Sequence, residues 1–451
     1  MLQFVKMLVF LLGIASFSFA GGPVSVYGAL KACTIGGKGR ICGSGLYANT
    51  AVQVKGISLG WSNTGWESAA FFNANTVNAL VDGWKAEVIR VPIGYSEGGG
   101  YKSDASNLTR VKTAIEAALA KDVYVVIDWH SHSAHNETDA AKKFFEDMIQ
   151  AYGANNDRII YEIYNEPTVT PAQWSTVKTY ADNIISAIRA KGANNLILVG
   201  TPEYSARPNA ADGNYLSDPN VAYVFHFYAA YHKLNMYSAG ITTVLNAGKP
   251  IFASEYGTVM NTGNGKHDAA STNEWYKFMD DNGISSCAWQ VSYKNETSAL
   301  FVTSFTNPDN KSLADFTNKS NMKESGQFIY EMLIANAKTA PWLNSPLQPS
   351  SSSSVPSSSS VAASSSSSSN VVSSSSNNVS SSSSDVSSSS SNGSTPIVLP
   401  QLVKNLENNA TIQIFDLKGN RVEQLADLPK GLYIIKVTSA SLKQTFKVVV
   451  K

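Results

Sequence analysis

The stretch IIYEIYNEPTVTP, residues 159–171, is a run of apolar and aromatic residues with an abrupt end. Such a run reads as a buried β-strand, and Pro167 forbids the strand to continue. Asn165 and Glu166 stand at the boundary, an amide and a carboxylate where the chain leaves a core. Related runs occur at VKGISL (54–59), VIRVP (88–92), VYVVIDWH (123–130), LILVGT (196–201), VAYVFHFY (221–228), PIFASEY (250–256) and SSCAWQV (285–291). Between several of them lie amphipathic stretches of helical period: NLTRVKTAIEAALAKD (107–122), AAKKFFEDMIQAYG (140–153) and AQWSTVKTYADNIISAIRAKG (172–192). The last two close on glycine, as helices often do. Eight strands, each followed by a connection long enough for a crossover, predict an α/β fold, a (β/α)8 TIM barrel. An open doubly wound sheet is the alternative, but no G-x-G-x-x-G follows the first strand to support it.

The rest of the 451-residue chain bounds this domain. A hydrophobic content of 43% supports a large core, and a net charge of +1 carries no footprint for nucleic acid or an acidic membrane. Residues 1–20 combine Lys6 with an apolar run from Met7 to Phe19 and small residues at Ser18 and Ala20. The run is too short for a membrane span, so a cleaved signal peptide and a secreted or cell-surface protein are expected, without a permanent span. Cys33 and Cys42 flank TIGGKGRI, which reads as a hairpin tip, and an oxidising compartment would let them bridge; two free surface thiols are the alternative. Cys287, inside SSCAWQV, reads as a core thiol. From Ser350 to Ser394 the chain is almost entirely serine, which cannot bury enough apolar surface to order itself. A catalytic domain at 21–345, a disordered Ser-rich linker at 346–395 and a small all-β domain at 396–451, read as a β-sandwich, are therefore expected.

Several strands of the expected barrel finish on polar or aromatic groups. Arg90 lies on the second; Asp128, Trp129 and His130 end the third, Asn165 and Glu166 the fourth, His226 and Tyr228 the sixth, and Glu255 the seventh, while the eighth carries Trp289. In barrels of this kind the C-terminal rim of the strands holds the active site. Two glutamates facing each other across a cleft are what glycoside hydrolysis needs, one to protonate the leaving oxygen and one to attack or to activate water. Arg90 would keep a neighbouring carboxylate ionised, and tryptophan offers a flat apolar face to a sugar ring.

YEIYNEP, VIDWHSH, VFHFYAAYH, IFASEYGT and AWQVSYKNETSAL together resemble the bacterial endoglucanases of glycoside hydrolase family 5, over roughly Val52 to Leu300. The resemblance implies a retaining endo-β-1,4-glucanase acting on β-glucan, with Glu166 as acid/base and Glu255 as nucleophile. It implies that Arg90, His130, Asn165, His226, Tyr228 and Trp289 surround the cleaved bond, with Lys294 and Glu296 contacting sugar nearby. No metal or other cofactor is expected, and the molecule is expected to be a monomer. Glu166 should be protonated when substrate arrives, its pKa raised toward neutrality, while Glu255 stays ionised with help from Arg90 and Tyr228. Two departures stand out: Tyr256 and Gly257 follow the nucleophile where many relatives have Trp-Gly, and a histidine often found after the first strand is absent from GISLGWSNTGW. Trp61 or Trp66 is left to line the non-reducing side.

Within the same family, a β-mannanase, xylanase or lichenan-active enzyme is an alternative. From other classes come a non-catalytic polysaccharide-binding protein and a metal-dependent hydrolase built on His130, His132 and His135. The metal reading leaves both glutamates unexplained, and His132 and His135 read as solvated loop residues. In the C-terminal unit, TIQIFDL and LYIIKV alternate as strands, and eight Lys plus Arg against four Asp plus Glu give a local charge of +4. It contains no tryptophan for sugar stacking. It looks like the C-terminal sorting domains of type IX secretion, which implies the secretion machinery as a partner.

Overall fold

The computed structural model describes residues 22–343 and, further on, 411–416, 421–422, 431–438 and 443–450. The expected signal peptide at 1–20 and Ser-rich linker at 346–395 lie outside the described residues. The chain divides into two units, Met1–Val355 and Pro356–Lys451.

In the first unit, helix α1 (Pro23–Tyr27) leads into a hairpin of β1 (Lys31–Ile35) and β2 (Lys38–Cys42). Ile35 pairs with Lys38, so Gly36 and Gly37 alone turn the chain, at φ of 58° and 78°. A two-residue turn that matches strand twist needs left-handed backbone at both positions, which glycine adopts without steric cost. Cys33 and Cys42 form a disulfide across this hairpin, with a sulfur–sulfur distance of 2.09 Å. The Ala32 N–H donates to Asn220 Oδ1 at 2.8 Å, just ahead of the sixth barrel strand, so the hairpin packs where strands begin.

The barrel then runs β3 (Lys55–Leu59), α2 (Ala74–Asp82), β4 (Val88–Gly94), α3 (Ser106–Leu119), β5 (Tyr124–His130) and α4 (Thr138–Tyr152). It continues through β6 (Ile159–Glu162), α5 (Trp174–Ala190), β7 (Ile197–Val199), the short α6 (Pro202–Ser205), β8 (Val221–Val224) and its extension β9 (Phe227–Tyr228). Last come α7 (Leu234–Asn246), β10 (Ile251–Gly257), α8 (Ala269–Asn282), β11 (Ser285–Val291), α9 (Leu313–Thr317) and α10 (Glu324–Thr339). Neighbouring strands pair in parallel, and β11 pairs with both β10 and β3, which closes an eight-stranded TIM barrel. Each expected strand is present. Among the described residues no helix is long and apolar enough to cross a membrane.

Strand period explains how one barrel holds both a core and a polar site. Ile89, Val91 and Ile93 of β4, and Val125, Ile127 and Trp129 of β5, join the large cluster that includes Phe144, Val177 and Ile184 of the helices. Residues of opposite parity point inward. The lower interior layers are apolar, with Val88, Tyr124, Val126, Ile160, Leu198, Val224 and Phe252 packed on Val24 and Leu30 of the entry segment. One step higher on the same strands the inward positions are Ser58, Arg90, Asp128, Glu162 and Ser254, all fully buried. The second unit contains β12 (Thr411–Asp416), β13 (Arg421–Val422), β14 (Gly431–Thr438) and β15 (Lys443–Val450) in one antiparallel sheet of order β13-β12-β14-β15.

Candidate active site

Arg90 is the centre of the polar layer, fully enclosed. Its Nε and Nη2 donate to the two oxygens of Glu162 at 2.7 and 3.1 Å, a bidentate fork. Nη2 also lies 2.9 Å from Asp128 Oδ2 and donates to Asn165 Oδ1 at 2.6 Å, while Nη1 donates to Glu255 Oε2 at 3.1 Å. One guanidinium thus faces three carboxylates, which cannot all remain ionised away from water. Burial raises Glu162, but Arg90 and His226 together outweigh it and hold that carboxyl below the ordinary range. Burial prevails at Glu255, which is pushed up despite the pull of His226, Arg90 and Tyr228.

Glu255 lies near the end of β10 on the same rim, and the Tyr228 hydroxyl donates to its Oε1 at 2.8 Å. Gly257 makes room for that contact: a Cβ there would stand 2.5 Å from the Tyr228 ring. Glu166 sits on the loop after β6. Its N–H donates to the Ser131 carbonyl at 3.2 Å, Ser205 Oγ donates to the Asn165 carbonyl at 2.7 Å, and the Tyr204 N–H donates to the Pro167 carbonyl at 3.0 Å. These bonds pin the Asn-Glu-Pro segment between neighbouring strand ends.

Both oxygens of Glu166 are engaged by imidazoles: Oε1 lies 2.9 Å from His226 Nδ1, and Oε2 lies 3.2 Å from His132 Nε2. Behind His226, Nε2 meets Ser254 Oγ at 3.0 Å, and that hydroxyl donates to Glu162 Oε1 at 2.8 Å. Burial pushes Glu166 up, but the bonds from His132 and His226 dominate and bring it down to about 2. For His226, burial pushes down and the carboxylates of Glu162 and Glu166 win, raising it to about 9. The directions at Glu166 and Glu255 reverse the expectation from sequence. At Glu255 the reason is burial, with the charge of Glu166 adding to it; at Glu166 it is the pair of imidazoles, which makes the ionised form the favoured one while the proton rests on a neighbour.

Glu166, His226 and Glu255 bring one side-chain donor atom each to within 4.8 Å of one another. Those atoms already serve one another, Arg90 and Tyr228, which is a proton-handling arrangement. The other residues singled out from sequence fall into two groups. His130, on β5, is bonded through Nδ1 to Asp128 at 2.6 Å and lies parallel to Trp289, ring centroids 5.4 Å apart, with Arg90, His132 and His226 near enough to add to burial in lowering its pKa. Lys294 and Glu296 pair with each other at 2.6 Å on the loop beyond β11 and bond to neither glutamate.

Trp61 stands edge-on to His130 at 4.1 Å and 5.6 Å from His132, with Trp66 5.3 Å beyond it and 36% exposed, so both tryptophans belong to one wall. Gly60 precedes them where a Cβ would meet Gln290 Oε1 at 2.5 Å, so a larger residue is excluded there.

The three histidines of the metal reading go to separate partners: His130 to Asp128, His132 to Glu166, and His135 Nδ1 to the Tyr164 hydroxyl at 2.7 Å. His132 is thereby corrected from a solvated loop residue to a neighbour of Glu166. Sequence reasoning also missed Glu162 and Ser254. A charged residue inside an apolar strand, as Glu162 is in YEIY, was the available signal, because buried charges are kept only when paired.

A family model described as cellulase, glycosyl hydrolase family 5, matches residues 47–295. Endoglucanase Z of Dickeya dadantii is 41% identical over 276 residues, covering 60% of this chain and 63% of that protein. Endoglucanase A of Evansella cellulosilytica is 36% identical over 297 residues, covering 64% of this chain and 58% of that protein. The chain thus spans about three fifths of the length of these relatives. Among solved structures, a GH5 cellulase from an Icelandic hot spring isolate superposes with a TM-score of 0.64 at 30% identity, over 73% of this chain and 99% of that one.

Proposed function

Because this chain belongs to the cellulase family, glycosyl hydrolase family 5, we propose that it is a retaining endo-β-1,4-glucanase cleaving internal linkages of cellulose or a related β-glucan. Glu166 is the acid/base and Glu255 the nucleophile. The observation that carries this is the approach of a Glu166 and a Glu255 oxygen within 4.8 Å on one rim. Retaining enzymes hold their carboxyl groups about 5 Å apart, whereas inverting ones leave a wider gap for water.

In the first step Glu255 attacks the anomeric carbon, oriented by Arg90 and the Tyr228 hydroxyl. Glu166 delivers a proton to the departing oxygen. Esterification removes the charge of Glu255 and with it the repulsion that each carboxylate exerts on the other. Glu166 then draws a proton from water, which attacks the glycosyl-enzyme and frees Glu255. Trp289, backed by His130, and the Trp61–Trp66 wall provide apolar faces for sugar rings, and Lys294 and Glu296 contact sugar further along. The N-terminal segment and the C-terminal unit serve export to the cell surface or medium.

Proton NMR of the first product released from cellopentaose tests the mechanism: the β anomer should appear before mutarotation, and the α anomer first would overturn it. Glu166→Ala and Glu255→Ala should each lose at least about 10³-fold in kcat on soluble β-glucan while still binding it. Near wild-type turnover in either variant removes that residue from the mechanism. Product analysis over cellulose, mixed-linkage glucan, xylan and mannan ranks the substrates.

A further inference from the structure

The His132 ring occupies the acid/base. Its side chain is 39% exposed, and among the described residues its ring has no hydrogen-bond partner other than Glu166. On either side stand the rings of Trp61, 5.6 Å away, and Tyr204, 6.0 Å away. Tyr204 is half exposed and sits in a run of left-handed backbone, with φ of 55°, 57° and 58° at Glu203, Tyr204 and Ser205. The ring of His132 therefore lies at the open side of the site, bonded to the one Glu166 oxygen that His226 leaves.

That arrangement is incompatible with acid catalysis as it stands. Glu166 cannot hand a proton to a glycosidic oxygen while imidazoles cover both of its oxygens, so one must yield. His226 is buried and tied behind by Ser254 and Glu162. His132 is exposed and tied by nothing else through its ring. We propose that His132 is a positioning residue, a latch that holds Glu166 and its proton in the free enzyme and is displaced by the leaving-group side of the substrate. This rests on the reading of Glu166 as the acid/base.

The proton balance is simple. In the latched pair one proton is shared between His132 Nε2 and Glu166 Oε2. As the substrate pushes the ring away, that proton stays on Oε2 and His132 departs as neutral imidazole. Glu166 gives the proton to the glycosidic oxygen as the C1–O bond breaks and Glu255 bonds to C1. The groups facing His132 favour storing a proton there: Glu166 from the loop after β6, Glu97 from the loop after β4, and Glu255 from β10, against His130 at the end of β5, two residues before it. The bond to Glu166 is the largest influence and raises the His132 pKa above its ordinary value. The pair then keeps its proton to higher pH than a carboxyl alone would.

The test compares wild type with His132→Gln and His132→Ala on cellopentaose, whose departure needs a proton, and on 2,4-dinitrophenyl β-cellobioside, whose departure does not. On cellopentaose the alkaline limb of kcat/KM should move about one pH unit lower in both variants, with a loss at pH 8 about tenfold larger than on the dinitrophenyl substrate. The dinitrophenyl reaction also reports that the folded site survives in each variant. Superimposable pH profiles, or equal losses on both substrates, would overturn the latch. A wild type that cleaves neither substrate would instead bring down the assignment of function.

Discussion

Arg90 balances three buried carboxylates with one cation, and its value lies in the fork as much as in the charge. Replacing it by methionine strands Asp128, Glu162 and Glu255 without a counter-ion. Removing one partner of a buried ionic cluster typically costs about 3–5 kcal/mol, so Arg90→Met should unfold at a markedly lower urea midpoint. Arg90→Lys restores a charge without the bidentate geometry. It should fold better than Arg90→Met yet lose ~10²-fold in kcat, the scale for one misplaced preorganised donor. A lysine variant with unchanged kcat would show that charge alone suffices. Legibility at single residues followed chemistry. Glu166, Glu255, His226 and Tyr228 stood at strand ends in sequence and meet in space. Glu162 is hidden in sequence because the apolar run continues past it to Tyr164, although β6 itself stops at Glu162, and inward parity matters only once the barrel has closed.

The secondary-structure elements were read well because their periods are physical. Gly153 closes α4 at φ 90°, as the Gly after AAKKFFEDMIQAY indicates. TIGGKGRI forms the hairpin its two central glycines allow. The region after LILVGT was less legible: β7 stops at Val199, and Glu203, Tyr204 and Ser205 adopt left-handed backbone that none of these residue types announces. Bonds from the Glu203 and Tyr204 N–H groups to the Val169 and Pro167 carbonyls, both 3.0 Å, hold it there. The hairpin offers a test that separates element stability from chemistry. Exchanging both Cys33 and Cys42 for serine removes a short loop closure, about 2–3 kcal/mol on the chain-entropy estimate. Chemical denaturation should show that loss, and kcat should be unchanged because the hairpin packs at the opposite end of the barrel from Glu166 and Glu255. A fall in kcat would mean the two ends are coupled.

For the molecule as a whole, the buried charges set a pH window. Burial pushes His226 down, but its carboxylate partners carry it from an ordinary 6.5 to about 9. Its contribution to stability is then complete below pH 6.5 and is lost as pH rises through 9, ~3 kcal/mol from this group at most. Glu166, depressed to about 2, contributes above its unfolded pKa and loses that share only as the pH falls toward 2. Thermal unfolding should therefore be highest near pH 5–6.5 and decline toward pH 10, and His226→Gln should flatten the alkaline decline. An equally steep decline in that variant would place the effect elsewhere. The second unit is tested by deletion of residues 396–451. If it is a sorting domain, the truncated enzyme stays in the periplasm with its kcat intact, and unaffected release refutes that role.

Order along the chain was enough to specify eight strands, their helices and the rim on which the glutamates stand, because strand period and helix period are local properties of residue type. It was also enough to bring Glu166 and Glu255 to one face, since one follows β6 and the other lies near the end of β10, parallel strands of one sheet. Only the closed barrel decided which groups share protons. Hydrogen bonds from His132 and His226 to Glu166, and the convergence of Asp128, Glu162 and Glu255 on Arg90, depend on inward parity and on distances across the barrel. Those distances exist only after strands remote in sequence have closed around a common axis, and they set the charge state of each carboxylate through burial and contact.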